Sequence, residues 1–327
     1  DQVGAEPHQV MTAASVVVLI GTYTGDGSKG IYAADWNGIT GALGTPRLTA
    51  ETENPSFLAL HPTRPLVYAV SERWGSEGGA VAAWRLDASS TVAEITVPSH
   101  GSSPCHLAVD PRGEFLVVSN YLSGTAAVYR LRDGLPAGDA TVLRLEGKGP
   151  NASRQEGPHA HSACFDPTGD RFYVVDLGTD RLWGFGLDRA AGTARPLDPA
   201  FAAIAPCSGP RHMTFHPRLP VAYLINELNS TVTVLSWNRT TGALAPVQTA
   251  GTLPNGADGR DNWCADIHVS PDGKFLYGSN RGHDSLAVWR IAPRTGRLTP
   301  VQHVPSGGVH PRNFTLSPDG RWLLCAN

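Results

Sequence analysis

The sequence predicts an all-β fold, a seven-bladed β-propeller of four-stranded antiparallel blades. Three observations lead there. A pattern of three short strands recurs along the chain, most clearly from Gly209 to Asn238 as GPRHMTFHPRLPVAYLINELNSTVTVLSWN. Its runs are β-branched or aromatic and bounded by Pro, Gly or Asn, as antiparallel strands are. Six prolines (Pro62, Pro111, Pro167, Pro217, Pro271 and Pro318) each follow a short apolar-alternating run, and their numbers differ successively by 49, 56, 50, 54 and 47. Four short strands at a period near 50 are the sequence form of a propeller blade. Finally, no long apolar stripe recurs at helical spacing, which disfavours α/β alternatives.

Taken in order, Asp1 to Ser15 is polar and irregular and reads as a loose tail, with 16–327 as a single propeller domain. The first unit supplies a second strand (VVLIGTY), a third (GIYAADWN) and a fourth (ALGTPRLTA), with no first strand before them. Six units then carry the turns HPTRPL, DPRGEF, DPTGDR, HPRLPV, SPDGKF and SPDGRW. Proline presets φ at the second turn position, and the glycine in four of the six permits a positive φ. After each turn comes a second strand: LVYAVSE, FLVVSN, RFYVVD, VAYLIN, FLYGSN and WLLCAN. Third strands such as AAVYRL and SLAVWRI follow in five units, and weaker fourth strands such as RLTPVQHVP end them. The chain stops at Asn327, just after the last second strand. A propeller usually closes by pairing strands from both termini, because open edges invite aggregation. The expectation is therefore that the C-terminal closing strands are missing.

Composition excludes several functions. The net charge is −3, with acidic and basic residues interspersed, so there is no basic run for a nucleic acid and no membrane patch. Val16 to Ile20 is far too short to span a bilayer. Five scattered cysteines, odd in number and never CxxC, read as small buried residues of a reducing compartment. The default is a soluble cytoplasmic protein. No GxSxG, HExxH, Walker loop or dinucleotide fingerprint occurs, and no cofactor is expected.

The columns of the repeat point to a site. Six residues before the turn prolines stand Ser56, Cys105, His161, Arg211, Ala265 and Arg312; ten after stand Glu72, Tyr121, Leu177, Glu227 and Arg281. The first strand runs down to the turn and the second runs back, so both columns lie at one end of the blades. A structural column would repeat one residue type. These vary, and the charged members concentrate in adjacent units: His161, then Arg211 with Glu227, then Arg281 and Arg312. His159 is placed on the same strand side as His161, since residues two apart share a face. A basic, His-bearing funnel with one carboxylate would bind an anion and do acid–base work. The bland alternative is a set of solvated loop charges. His106, His212, His268 and His283 lie nearby with weaker claims. His212 joins Arg312 as a candidate substrate-binding residue, while His268, mid-strand, reads as a satisfied core histidine. The column nine after the proline (Ser71, Asn120, Asp176, Asn226, Asn280, Asn327) admits metal ligation, but Asn at a strand end more often bonds local backbone. No metal site is expected.

The blocks GTYTGDGSKGIY, GPHAHS, GPRHMTFHP, NELNSTV, SNRGHDSLAVW and HPRNFTLSPDG, long and in order from about Val16 to the end, resemble the lactonase family of seven-bladed propellers. That family includes the propeller-type 6-phosphogluconolactonases and the fungal carboxymuconate-lactonizing enzymes. Its active residues are a His, two Arg and a Glu. The resemblance implies Arg211 from GPRH, Glu227 from NEL, Arg281 from SNRG, and His159 or His161 from GPHAHS. The leading expectation is hydrolysis of a sugar lactone, phosphorylated, by a 6-phosphogluconolactonase-like enzyme whose partner is a small anionic lactone or sugar acid. A carboxymuconate-type cycloisomerase and a non-catalytic protein-binding platform are the alternatives.

Overall fold

The computed structural model describes residues 16–25, 27–75, 78–87 and 91–327. The expected tail, 1–15, lies outside the described residues. Among these residues the strands form seven antiparallel sheets, five of them with four strands, taken in chain order as blades 1 to 7. Blade 1 has three strands, Val16–Ile20, Gly30–Trp36 and Arg47–Glu51. Blades 2 to 6 begin with the inner strands Leu58–Leu60, Pro104–Val109, Ala160–Phe165, Pro210–Phe215 and Trp263–Val269. Blade 7 pairs Asn313–Leu316 with Leu323–Ala326.

Each proline turn is closed the same way. The residue before the proline donates its N–H to the start of the second strand, as in Asp110 to the carbonyl of Phe115 (3.0 Å) and His216 to that of Val221 (3.0 Å). Its side chain then collects the exposed turn amides: Asp110 accepts from the N–H of Glu114 and of Phe115, and His216 Nδ1 from those of Arg218 and Leu219. That local satisfaction is why Asp, Ser or His precedes proline in all six turns.

The second strands Leu66–Ser71, Phe115–Asn120 and Val221–Asn226 are buried along their whole length. They read as unbroken apolar runs because both of their faces meet a neighbouring blade. The core is accordingly a series of wedges between blades. One contains Phe115, Val117, Phe172 and Val174, from blades 3 and 4; another contains Tyr223, Ile225, Leu276 and Trp289, from blades 5 and 6. Blades 7 and 1 meet through side chains. Trp322 Nε1 donates to the Gly38 carbonyl (2.8 Å), and its ring lies where a Cβ on Gly41 would fall.

Inner strands of four blades carry a β-bulge near the same end. The register slips between Pro104 and His106, between Ala160 and Ser162, between Pro210 and His212, and between Cys264 and Ile267. The extra residues include Cys105, His161, Arg211 and Ala265, which are members of the column six before the proline. A bulge re-aims a side chain that simple alternation would send elsewhere. It also breaks the alternation by which His159 and His161 were expected to share a face.

The cysteines are all free. Cys105 and Cys264 are buried, but Cys207 is exposed in the turn before blade 5, contrary to the expectation of buried thiols throughout. Among the described residues no helix is long and apolar enough to cross a membrane.

Candidate active site

Glu227 follows directly on the second strand of blade 5 and is almost fully buried. Its Oε2 accepts from Arg211 Nε (3.0 Å) and from Arg281 Nη2 (2.7 Å), and its Oε1 accepts from Arg154 Nη2 (2.6 Å). Three guanidiniums from three segments therefore meet on one carboxylate. Burial alone would raise the Glu227 pKa, but Arg281, Arg211 and Arg154 override it and hold the carboxyl at about 2.

The arginines are anchored before any ligand arrives. Arg211 Nη1 donates to the Ala265 carbonyl (2.5 Å), while Arg281 donates to the carbonyls of Trp263 (3.1 Å) and Cys264 (3.0 Å). Burial, with Arg281 and Arg312 nearby, lowers the Arg211 pKa to about 9, so it stays charged at neutral pH. Each guanidinium nonetheless keeps a terminal nitrogen without a hydrogen bond among the described residues: Nη2 on Arg211 and Nη1 on Arg281, Arg154 and Arg312.

The two candidate histidines have different surroundings. His159 stacks on the Tyr121 ring (4.5 Å between centroids), with Nδ1 3.0 Å from the Tyr121 carbonyl and Nε2 3.0 Å from Glu156 Oε1. His161 meets Tyr121 and His212 edge-on, each at 5.5 Å, and its nearest polar side-chain contact is Cys105 Sγ at 3.9 Å. Burial, then Arg211 and His212, holds the His161 pKa well below its ordinary value, so the ring is neutral. Cys105 is no ready nucleophile, because burial and then Glu72 push its thiol up to about 12.

Arg312 lies across the channel mouth, where Nη2 donates to the Tyr23 hydroxyl (2.9 Å) and the guanidinium faces the Tyr23 ring. His212 does not line the arginine cup openly. Its Nδ1 is bonded to Asp266 Oδ1 (2.9 Å), and its Nε2 lies 3.4 Å from Arg211 Nη1. Burial and the adjacent Arg211 lower its pKa to about 4. This neutral imidazole supports the arginine from behind.

Below the cup, one to three residues further along the inner strands, the channel holds a cavity of about 120 Å³ lined by Phe57, His106, His212, Asp266, His268 and Asn313, among others. His268 belongs here. It was expected as a core histidine, but its side chain is 38% exposed and pairs through Nε2 with Asp266 Oδ2 (3.0 Å). Burial works against its charge, but Asp266 outweighs that and raises its pKa. His283 is engaged locally, through Nδ1 with Ser285 Oγ (2.8 Å).

The Asn column bonds nearby strand ends, within its own blade or just past the fourth strand of the blade before. Asn120 Nδ2 donates to the Ser99 carbonyl, Asn226 Nδ2 to Thr231 and Thr233, and Asn280 Nδ2 to the Thr252 carbonyl. Among the described residues no three His, Cys, Asp or Glu side chains are grouped as metal ligands would be.

Sequence reasoning did not reach Arg154, Asp266 or the role of Glu72. Arg154 sits in a loop between blades 3 and 4, outside every column. Asp266 lies one residue past the column member Ala265. Glu72 stood in the column but was passed over.

A channel mouth with four arginines, two buried carboxylates and a neutral histidine has the charge to take an anion and groups able to do acid–base work. Residues 17–327 match the model for the lactonase, 7-bladed beta-propeller family. The 6-phosphogluconolactonase of Bacillus subtilis strain 168 is 36% identical over 94% of this chain and 87% of its own length. That of Formosa agariphila is 32% identical over 95% and 89%. The solved structure of a periplasmic gluconolactonase from Pseudomonas aeruginosa superposes with a TM-score of 0.88 at 31% identity, covering 95% of this chain and 88% of that one. The chain belongs to the lactonase family of seven-bladed propellers.

Proposed function

We propose that the protein is a sugar-lactone hydrolase acting on a phosphorylated lactone of the 6-phosphogluconolactone type. The observation that carries this reading is the charge of the cup. Arg154, Arg211, Arg281 and Arg312 outnumber Glu72 and Glu227, the carboxylates beside them, and Asp266, which also acts on Arg211, is shared with His212 and His268, so the cup carries excess positive charge. A phosphate monoester dianion would balance that excess, and a guanidinium fork suits its oxygens better than an ammonium would. A planar lactone set beside the phosphate brings its carbonyl to the remaining N–H groups. These would stabilise the oxyanion that forms when water attacks. Glu227 holds the arginines in place: its two oxygens are taken, and its affinity for protons is suppressed. The relatives called 6-phosphogluconolactonase support the same substrate class.

The test is a pH-stat panel of 6-phosphogluconolactone, unphosphorylated gluconolactone and a carboxymuconate. Fastest acid release from the phosphorylated lactone, with a lower KM than its unphosphorylated analogue, is the expected result. Preference for the muconate would turn the reading to a cycloisomerase, in which the same arginines clamp carboxylates. We further propose a cytoplasmic location, which the free thiols support. The Pseudomonas aeruginosa relative is called periplasmic, and fractionation of the native host decides between the two compartments.

A further inference from the structure

Hydrolysis needs a group that accepts the proton of the attacking water, and the cup offers few. Both oxygens of Glu227 are occupied by guanidiniums. Both ring nitrogens of His159 are engaged. His161 is buried beside Arg211 and His212, which disfavours an added charge.

Glu72 is different. It follows the second strand of blade 2, as Glu227 follows that of blade 5, and it is equally buried at the same end of the ring. Its side-chain partners are all hydroxyls. Oε2 accepts from Tyr23 Oη (2.8 Å) and Ser56 Oγ (2.5 Å), and Oε1 has only a long contact to Ser103 Oγ (3.3 Å). Among the described residues no guanidinium bonds to it. Arg312 reaches it through Tyr23, donating to the same hydroxyl that donates to Glu72, and feels the charge of both carboxylates. The titratable groups facing Glu72 are Tyr23 from blade 1, Cys105 from blade 3 and Arg312 from blade 7, while the neighbouring Arg73 turns away to Glu53 (2.7 Å).

We propose that Glu72 is the general base of the reaction, and that the two carboxylates divide the work: Glu227 arranges the arginines and Glu72 moves the proton. The assignment rests on the lactone-hydrolase reading. As water oxygen bonds to the lactone carbonyl carbon, one water proton passes to Glu72 Oε1 and the carbonyl oxygen becomes the oxyanion. Collapse of that adduct breaks the bond from the carbonyl carbon to the ring oxygen. The leaving alkoxide takes the proton back from Glu72, giving the open hydroxy acid and restoring the carboxylate. Three rotatable hydroxyls suit this task, since they follow the carboxyl group through both protonation states.

The experiment measures initial rates of 6-phosphogluconolactone hydrolysis from pH 5 to 9, less the uncatalysed rate, for the wild type, Glu72→Gln, Glu227→Gln and Tyr23→Phe. Glu72→Gln should lower kcat by about 10²–10⁴-fold, the usual worth of general acid–base catalysis, with little change in KM. Glu227→Gln should instead raise KM. Tyr23→Phe keeps the carboxylate but removes one of the hydroxyls that hold it, so it should lower kcat, by less than Glu72→Gln does, with little change in KM. If Glu72→Gln does not fold, as judged by thermal unfolding, the Tyr23→Phe loss of kcat at unchanged KM decides alone. A folded Glu72→Gln with kcat within threefold of wild type, or a Tyr23→Phe with the kcat of wild type, overturns the assignment. A wild type that hydrolyses none of the lactones overturns the hydrolase reading, and this proposal with it, before any variant is made.

Discussion

Replacing Glu227 with glutamine removes one negative charge from among three guanidiniums while keeping the side chain's shape. The amide oxygen can still accept from one side, but the amide nitrogen, a donor, must then face arginine N–H groups at 2.6–3.0 Å. Two routes give the size of the loss. The fall in the Glu227 pKa from its ordinary 4.5 to about 2 corresponds to about 3 kcal/mol. Breaking a buried ion pair by removing one partner costs about 3–5 kcal/mol. The expected destabilisation is therefore about 3 kcal/mol at pH 7, which a domain of ordinary stability survives. The sign with pH follows from the direction of the shift. The folded-state value lies below the unfolded one, so the contribution is fully present above about pH 4.5 and is lost as pH falls toward 2. Guanidinium denaturation of wild type and Glu227→Gln, followed by far-ultraviolet circular dichroism from pH 7 to pH 3, reads the difference directly. It should be greatest at neutral pH and shrink through the acid window. A difference below about 0.5 kcal/mol at pH 7, the range of surface substitutions, or one that does not change with pH, would refute the view that this carboxylate holds the arginines together.

Arg211→Ala should lower kcat/KM by about 10²–10³, as loss of a preorganised donor does, while Arg195→Ala, on a side chain 78% exposed, should leave it unchanged. Arg171, at the opposite end of its blade, is unsuitable as the comparison because it ties Asp166 to the carbonyls of Arg239 and Thr240. His268 has a folded-state pKa raised above 6.5, so its stabilisation is complete below about pH 6.5 and fades as pH rises through the raised value. His268→Gln should remove that dependence in unfolding measured at pH 6 and pH 9. Exhaustive chelation should leave the hydrolysis rate unchanged, given the absence of a grouped ligand set among the described residues. Activity lost on chelation and restored by one divalent ion would contradict that expectation.

The propeller was legible because its punctuation is local. Each turn proline, with an Asp, Ser or His before it, satisfies its own amides, so the repeat is visible without any knowledge of the neighbouring blades. The end of the ring where the candidate residues gather was legible for the same reason: counting from the proline places residues along a strand. Counting could not reveal the bulges, which depend on how a strand pairs and which send His161 and Arg211 inward. Nor could it find Arg154, whose loop has no counterpart in the repeat and whose meeting with Glu227 depends entirely on tertiary approach. His268 was misjudged because strand position alone cannot distinguish the apolar wedges between blades from the polar channel inside the ring.

A buried carboxylate in the middle of an anion site looks self-defeating until the arginines are considered without it. Arg211 and Arg281 both have their proton affinity lowered, first by burial and then by other charges of the site. Free of Glu227, they would swing apart or draw in counterions, and a substrate would have to reassemble them. With Glu227 present, the guanidiniums are fixed by one carboxylate and by the carbonyls of Trp263, Cys264 and Ala265. Arg211 Nη2 and Arg281 Nη1 are left without a hydrogen bond among the described residues. Donors fixed in this way cost no reorganisation when charge develops. The same bonds tie up this carboxylate, so proton transfer must fall to a group outside the arginine cluster. Glu72, held only by hydroxyls on a different blade, meets that requirement.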